Sequence, residues 1–117
     1  MHYTCITNIA VKPGHMVESH MVGALRKVEE ELLPLYRTLP GFVAFTLAQT
    51  GEASATSSSL WQTREQAEKC RRTNENWMTL GAHREVESIH NHVGEVRFIA
   101  FTGDLKVYAS PAAVGLR

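Results

Sequence analysis

Two kinds of hydrophobic periodicity alternate along this chain, and their order constrains the fold more than any other feature. Runs of β-branched and aromatic residues bounded by glycine or proline predict strands, whereas apolar residues at three- and four-residue steps predict helices. The predicted strands cover residues 3–12, 42–50, 53–61 and 93–102, and the predicted helices cover residues 16–33 and 64–88. The order β-α-β-β-α-β is that of the ferredoxin-like α+β fold, a four-stranded antiparallel sheet with both helices on one face.

Local signals define the ends of the two predicted helices. Pro34 cannot donate to a helical hydrogen-bond ladder, so the first helix is expected to end or kink near Leu33. Thr63 and Gln66 have the spacing of a capping box, which predicts the start of the second helix. The short polar side chains of residues 73–76 compete for backbone hydrogen bonds and predict a break within that helix.

Apolar side chains are predicted on both faces of the sheet. In the second strand, one face would carry Phe42, Ala44 and Ala48, and the other Val43, Phe45 and Leu47. In the last strand, Val96, Phe98 and Ala100 would oppose Ile99 and Phe101. Two helices cover a single face, so we expect a second copy of the chain to cover the other, giving a homodimer. The alternative is that the tail from Gly103 folds back over this face.

Composition limits the classes of partner and compartment. The 117 residues suit one domain, and we expect residues 1–103 to form it, followed by a C-terminal extension of residues 104–117. Twelve basic residues balance twelve acidic ones, which argues against nucleic acid and against an anionic membrane surface as partners. The two cysteines fit no CxxC pattern, and the first residues resemble no secretion signal. We therefore expect a cytoplasmic protein with reduced thiols.

Three pieces of sequence resemble the antibiotic biosynthesis monooxygenase superfamily of dimeric α+β barrels. They are Asn8 in the first strand, LPGF at residues 39–42, and LWQTREQA at residues 60–67. The resemblance covers roughly residues 3–102. It implies a ligand cavity between the helices and the sheet, and activities that range from cofactor-free oxidation of aromatic polyketides to haem degradation.

The resemblance also suggests site residues, position by position. Trp61 matches a tryptophan of the cofactor-free oxygenases, whose asparagine falls at Ser57 and whose tyrosine falls at Ala67 or Glu68. Asn8 matches an asparagine of the haem-degrading members, whose helix tryptophan falls at Cys70 or Arg71. We expect Asn8 and Ser57 to stabilise an enolate-like oxygen, His83 to handle protons, and Trp61, Trp77 and Cys70 to bind the substrate.

Each of these residues also has a structural interpretation. Cys70, Asn74, Trp77 and Gly81 fall on one helical face, which is typical of a core stripe as well as of a cavity wall. Trp61 can be a core anchor, Asn8 can pair with neighbouring backbone, and the serines of the third strand can form a weakly adhesive edge.

The favoured function is a monooxygenase that oxidises an aromatic or polyketide-like molecule without a cofactor. The alternatives are a small-molecule-binding dimer without catalysis, and a haem-binding member with His83 as the iron ligand. An isomerase or decarboxylase that uses the same pocket is a weaker option. No HExxH, G-x-S-x-G or phosphate-loop motif is present, so we expect no metal site outside the haem alternative and no hydrolase chemistry.

Overall fold

A computed structural model of the chain describes residues 1–100, which form a four-stranded antiparallel sheet covered on one face by helices. The strands are β1 (Tyr3–Val11), β2 (Phe42–Gln49), β3 (Ser54–Trp61) and β4 (Val86–Glu95), in the order β2-β3-β1-β4. The helices are α1 (Val17–Lys27), α2 (Leu33–Thr38) and α3 (Arg64–Leu80). This arrangement confirms the predicted ferredoxin-like fold. None of these helices is long and apolar enough to span a lipid bilayer.

Buried and exposed side chains alternate along strand β1, which shows which face of the sheet the helices cover. Cys5, Thr7 and Ile9 point towards the helices and are buried, whereas Ile6 and Asn8 between them are exposed. Because β1 lies between β3 and β4, its register sets the faces of both neighbours. The helix-facing side contains the hydrophobic core and several buried polar groups.

A β-bulge near the start of β2 changes the predicted faces of that strand. Phe42 pairs with Trp61 and Ala44 pairs with Leu60, so Val43 is the extra residue. Phe42, Phe45 and Leu47 therefore pack against the core on the helix side. The prediction that Val43, Phe45 and Leu47 form a second apolar face is wrong, because alternation alone does not register an inserted residue.

The sheet face away from the helices, called the open face below, is mixed rather than apolar. The strand registers place on it Thr4, Ile6, Asn8, Ala10, Ala44, Thr46, Ala48, Thr56, Ser58, Leu60, His90 and His92. Ile6 is 37% exposed there. The apolar surface that a second copy would cover is consequently smaller than the sequence predicts.

The regular α-helix is interrupted just before Leu33, where the sequence predicts that the first helix ends or kinks, and a helical segment then continues beyond Pro34. A π-helical turn at Val28–Leu32 joins α1 to α2. Pro34 lies in the first turn of α2, where a missing backbone N–H removes no hydrogen bond from that segment. The continuation carries Tyr36, which is 1% exposed, into the core.

Helix α3 has the predicted capping box but differs in length. The Gln66 backbone N–H donates to Thr63 Oγ1 at 3.2 Å, and the Thr63 N–H donates to Gln66 Oε1 at 3.0 Å. The break predicted at residues 73–76 is wrong, because the Asn74 side chain bonds to distant residues instead of to its own backbone. The helix ends at Leu80, before Gly81, and not near Ser88.

Strand β4 begins and ends earlier than the predicted last strand, residues 93–102. Val86–Glu95 pairs with β1 along its length, with Ile89 and Val93 on the helix side and histidines between them on the open face. Because His90 and His92 are polar, the sequence does not predict a strand at these positions. Residues 96–100 have no regular structure, and Phe98 is 71% exposed. Phe101 and the extension of residues 104–117 lie outside the described residues.

Two of the sequence pieces that carry the resemblance meet in space. Gly41 has a φ of 81°, a left-handed conformation that favours glycine. A Cβ at this position would overlap the Gln66 side-chain amide, which completes the capping box of α3. The LPGF turn and the start of α3 therefore depend on the same side chain.

Replacing Thr63 with alanine should destabilise the fold by about 1 kcal/mol, because the N-cap oxygen that accepts the Gln66 N–H is lost. Urea unfolding of this variant measures the change. Lys69→Ala, an exposed substitution on the same helix, is the control and should change stability by less than about 0.5 kcal/mol. Equal stabilities of the two variants would contradict the role of the cap.

Candidate functional site

A buried polar network lies between the sheet and the helices, centred on Asn74 of α3. The Tyr36 hydroxyl donates to Asn74 Oδ1. Asn74 Nδ2 donates to Thr7 Oγ1 at 3.1 Å and to Asn91 Oδ1 at 3.2 Å, and Thr7 donates to Asn91 Oδ1 at 2.6 Å. Asn74 is 2% exposed, so these bonds replace the water that its amide would otherwise bind.

One helical turn before Asn74, the Cys70 thiol joins this network to the end of β3. Ser59 Oγ lies 3.3 Å from Cys70 Sγ, and the Trp61 indole N–H donates to Ser59 Oγ at 2.8 Å. Asn74 Nδ2 lies 3.9 Å from the same sulfur. Cys5 and Cys70 are both free, buried thiols.

The surroundings of Cys70 favour its ionised form. A hydrogen bond from the Cys5 thiol, assisted by Ser59, Tyr36 and Trp61, lowers the pKa of Cys70 to about 7, although burial opposes the shift. The hydrogen bond to Cys70 and burial raise the pKa of Cys5. Burial, followed by the charge of Cys70, raises the pKa of Tyr36. One thiolate held among neutral donors is the charge state that this arrangement supports.

Four aromatic rings enclose the network on the side of β2. Tyr36 packs edge-on against Phe45 and Trp61, with ring centroids 5.5 Å and 5.8 Å apart. The ring centroids of Phe42 and Trp61 are 5.4 Å apart. Trp61 has no exposed surface, so it supports the other rings and does not itself border a cavity among the described residues.

An apolar cavity of about 460 Å³ lies on the other side of Phe45, between strand β2 and the first helical unit. It is lined by Leu25, Val28, Glu29, Leu33, Phe45, Leu47 and Gln49. A second cavity of about 330 Å³ shares Leu25 and Gln49 with it and extends towards Glu18 and Glu52. Together they form one groove, called the β2 groove below. Its volume suits a small ring system.

The β2 groove and the buried network are neighbours in the sheet. Leu47 in the groove pairs with Ser57, which is 6% exposed, and Phe45 pairs with Ser59. Both serines point to the helix side. Ser57 therefore lies beside Leu47 without being among the residues that line the groove. Phe45 contacts Tyr36 of the buried network and also lines the groove.

The structure places Ser57, Trp61 and Cys70 together on the helix side of the sheet, and it separates the other predicted site residues from them. Asn8 is on the open face, where its side-chain oxygen accepts a hydrogen bond from Thr56 at 3.1 Å. It alternates with the buried residues of β1, which is why it cannot share a cavity with Trp61. Asn8 and Trp61 therefore lie on opposite faces of the sheet.

Trp77 and His83 lie elsewhere. Trp77 borders a different cavity of about 370 Å³ between α2 and α3, and its indole N–H donates to Glu31 at 3.0 Å. His83 is exposed on the 3-10 turn Ala82–Arg84, and it borders neither this cavity nor the β2 groove. That position does not fit an iron ligand inside a haem pocket. Within residues 1–100, no three His, Cys, Asp or Glu side chains are grouped to hold a metal ion.

Sequence reasoning missed Tyr36, Thr7 and Asn91 as members of the network. Tyr36 lay beyond the predicted end of the first helix, and Asn91 lay in a segment between the predicted second helix and last strand. Thr7 is itself a common strand residue and was not singled out, although it points towards the helices with Cys5 and Ile9. The helical face of Cys70 and Asn74 was the one signal of a polar group in the core.

Titration of the thiols should show one group ionising near pH 7 in the folded protein. Because the folded pKa of Cys70 is below its unfolded value, its ionisation stabilises the protein above the unfolded pKa, and this contribution is lost as the pH falls through about 7. The ultraviolet absorbance of the thiolate measures the titration. Cys5→Ala should raise the midpoint, and Cys5→Ser, which keeps a donor, should largely preserve it. Ionisation of both thiols together at alkaline pH would contradict this assignment.

No protein-family model matches the chain, and no curated protein matches its sequence. Solved structures do match. A monooxygenase from the gene ActVA-Orf6 of Streptomyces coelicolor, in complex with nanaomycin D, has a TM-score of 0.65 at 10% identity over 86% of this chain and 92% of that one. SnoaB, a cofactor-independent oxygenase from Streptomyces nogalater, has a TM-score of 0.58 at 11% identity over 81% and 92%.

A Bordetella bronchiseptica protein assigned provisionally as an antibiotic biosynthesis monooxygenase has a TM-score of 0.56 at 20% identity, over 81% of this chain and 96% of that one. The three matches span nearly the whole length of the solved chains. This chain therefore has the fold found in antibiotic biosynthesis monooxygenases.

Proposed function

We propose that this chain is a member of the antibiotic biosynthesis monooxygenase superfamily and oxidises a small aromatic molecule in the β2 groove with molecular oxygen and no cofactor. The observation that carries the proposal is an apolar groove between helices and sheet, in a fold shared with two oxygenases. SnoaB is described as cofactor-independent, and the ActVA-Orf6 protein was crystallised with a small-molecule ligand.

The proposed reaction uses the substrate as the reductant. A hydroxyaromatic or enolic molecule loses a proton, and its anion passes one electron to oxygen. The resulting radical pair joins in a carbon–oxygen bond. The hydroperoxide that forms loses water, so that a ring methylene becomes a carbonyl, one oxygen atom enters the product and the other leaves as water. The protein has to hold the ring, accept the proton and stabilise the anion.

Each of these tasks has a candidate in the described structure. Phe45 and Leu47 provide apolar contacts for the ring. Glu29 is the one ionisable side chain among the residues lining the larger cavity, and its carboxylate is the proposed proton acceptor. The Ser57 hydroxyl, beside Leu47, is the proposed donor to the substrate oxyanion. Trp61 and Cys70 act from behind Phe45 and support the wall of the groove. Asn8, Trp77 and His83 have no part in this proposal because of their positions.

A second candidate function is binding without catalysis. The Asn74 amide and Tyr36 hydroxyl are already bonded to each other and to Thr7 and Asn91, so they offer no free donor to a substrate. A protein that only binds would stabilise on ligand addition without consuming oxygen.

We also propose a homodimer formed through the open face, in the cytoplasm, where Cys5 and Cys70 would stay reduced. The described helices leave this face uncovered, and Ile6 and Leu60 provide apolar contacts at neighbouring strands. The hydroxyl and amide groups around them would pair across the interface or hold water.

Ile6→Lys should weaken the dimer, because an unpaired ammonium group would be buried at the interface. Sedimentation at micromolar concentration should show a shift from two copies to one. Leu80→Lys changes a side chain that is 85% exposed on α3 and should leave the assembly unchanged. A wild-type protein that sediments as a monomer would contradict the proposed interface.

Oxygen uptake tests the proposed reaction. With a panel of phenolic and enolic aromatics in the presence of a chelator, we expect one oxygen consumed per product formed. Ser57→Ala should lower kcat by roughly 100-fold, as loss of an oxyanion donor does elsewhere. Asn8→Ala and His83→Ala are the matched controls and should retain activity. Loss of activity in these controls, with Ser57→Ala unaffected, would overturn the proposed site. Binding without oxygen uptake would favour the second candidate.

A further inference from the structure

The two cysteines of the chain meet between the central strand of the sheet and helix α3. Cys5 on β1 pairs in register with Ser59 on β3, and both side chains point towards the helices. The Ser59 hydroxyl donates to the Cys5 carbonyl at 3.3 Å, and its oxygen lies 3.3 Å from Cys70 Sγ. The Cys5 thiol in turn donates a hydrogen bond to Cys70. These contacts make the two sulfur atoms neighbours, although they are far apart in the sequence.

Burial limits what can react with these sulfur atoms. Cys5 is 1% exposed and Cys70 is 0% exposed, so a bulky reagent or a second protein has no direct access to either. Hydrogen peroxide is uncharged and close to water in size, and small openings of a folded protein admit such molecules. The β2 groove approaches the pair, because Phe45 lines the groove and is the register partner of Ser59. An oxidised sulfur formed here would meet the other cysteine before it met an external thiol.

The surroundings give the two thiols different reactivities. The hydrogen bond from Cys5 lowers the pKa of Cys70 to about 7, so a large part of Cys70 is thiolate at neutral pH. The hydrogen bond to Cys70 and burial raise the pKa of Cys5, which therefore keeps its proton. A thiolate attacks peroxides, and a second thiol beside the resulting sulfenic acid condenses with it to a disulfide. Cys70 is accordingly the attacking sulfur and Cys5 the resolving one.

We propose that Cys5 and Cys70 form a peroxide-sensitive site that closes reversibly to a disulfide between β1 and α3. The Cys70 sulfur attacks one oxygen of hydrogen peroxide, the O–O bond breaks, and the departing hydroxide takes a proton from solvent to become water. Cys70 is now a sulfenic acid, oxidised by two electrons. As the Cys5 sulfur attacks it, the S–S bond forms, the S–O bond breaks, and the departing hydroxide takes the Cys5 proton to become the second water. One peroxide oxidises two thiols, and no step uses the proposed oxygenase reaction.

Peroxide treatment of the full, reduced chain tests the site. The number of thiols counted in denaturant should fall from two to none as one peroxide is consumed per chain. Peptide mapping should find Cys5 joined to Cys70 within a single chain, and dithiothreitol should restore both thiols. The rate of thiol loss should rise about tenfold between pH 6 and pH 8, because the thiolate fraction of Cys70 rises through a pKa of about 7.

Two variants separate the attacking sulfur from the resolving one. Cys5→Ser keeps a hydrogen-bond donor beside Cys70 but removes the resolving thiol, so oxidation should stop at a sulfenic acid that dimedone captures at residue 70. Cys70→Ser leaves the buried Cys5 without a neighbouring thiolate and should slow thiol loss at least about tenfold. Ser58→Ala, a neighbour of Ser59 on the open face, is the control and should oxidise like the wild type. Melting curves show whether each variant is folded, and the wild-type peptide map decides where one is not.

Three results would overturn the inference. Thiols that survive peroxide in the folded chain but not in the unfolded chain would show that the oxidant does not reach the pair. A disulfide between two chains, or irreversible oxidation of Cys70 while Cys5 stays a free thiol, would show that the two sulfur atoms do not react together. Oxygen uptake with aromatic substrates is a separate measurement on the wild-type protein, so failure of either idea leaves the other standing.

Discussion

The hydrogen bonds of the Asn74 amide connect every layer of the described structure. They reach Tyr36 on the first helical unit, Thr7 on the central strand and Asn91 on the edge strand. An amide in this position is costly unless all of its groups are paired, because the interior offers no water to replace a missing partner. The network thereby fixes how α3 and α2 sit on the sheet, and with them the position of the aromatic rings that wall the β2 groove.

The network and the groove divide the space between helices and sheet into two parts with different roles. On one side of Phe45, polar groups are saturated by each other, which makes the wall rigid. On the other side, apolar side chains border open space with carboxylates at one end. A rigid wall keeps the rings that border the groove in one position, which is what orienting a bound molecule requires. The internal pairing of Tyr36 and Asn74 explains why neither is proposed as a direct contact of the substrate.

Residue periodicity predicted the order of strands and helices, because burial of one face imposes alternation on β1 and β3 and a helical stripe on α1 and α3. Periodicity gave wrong predictions where a single inserted residue or an irregular helical turn shifts the spacing of apolar residues. The bulge at Val43 moved Phe45 and Leu47 to the helix side, and the π-helical turn carried the helix past Pro34 to Tyr36. The bulge has no local sequence signal, whereas Pro34 indicates the irregularity of the helix but not its continuation to Tyr36. The site residues were harder to predict than the fold. Asn8, for example, was selected for its residue type and not for the face of β1 on which it lies.

The composition of the open face limits how a second copy of the chain could bind there. Its apolar area is small, since Ile6 and Leu60 stand among hydroxyl, amide and imidazole groups. A dimer formed there would depend on paired polar groups as much as on burial, and such interfaces are compatible with exchange between partners. The β2 groove lies on the opposite side of the sheet. A ligand in the β2 groove and a partner on the open face would therefore contact different surfaces of the sheet, and β2 would contribute residues to both.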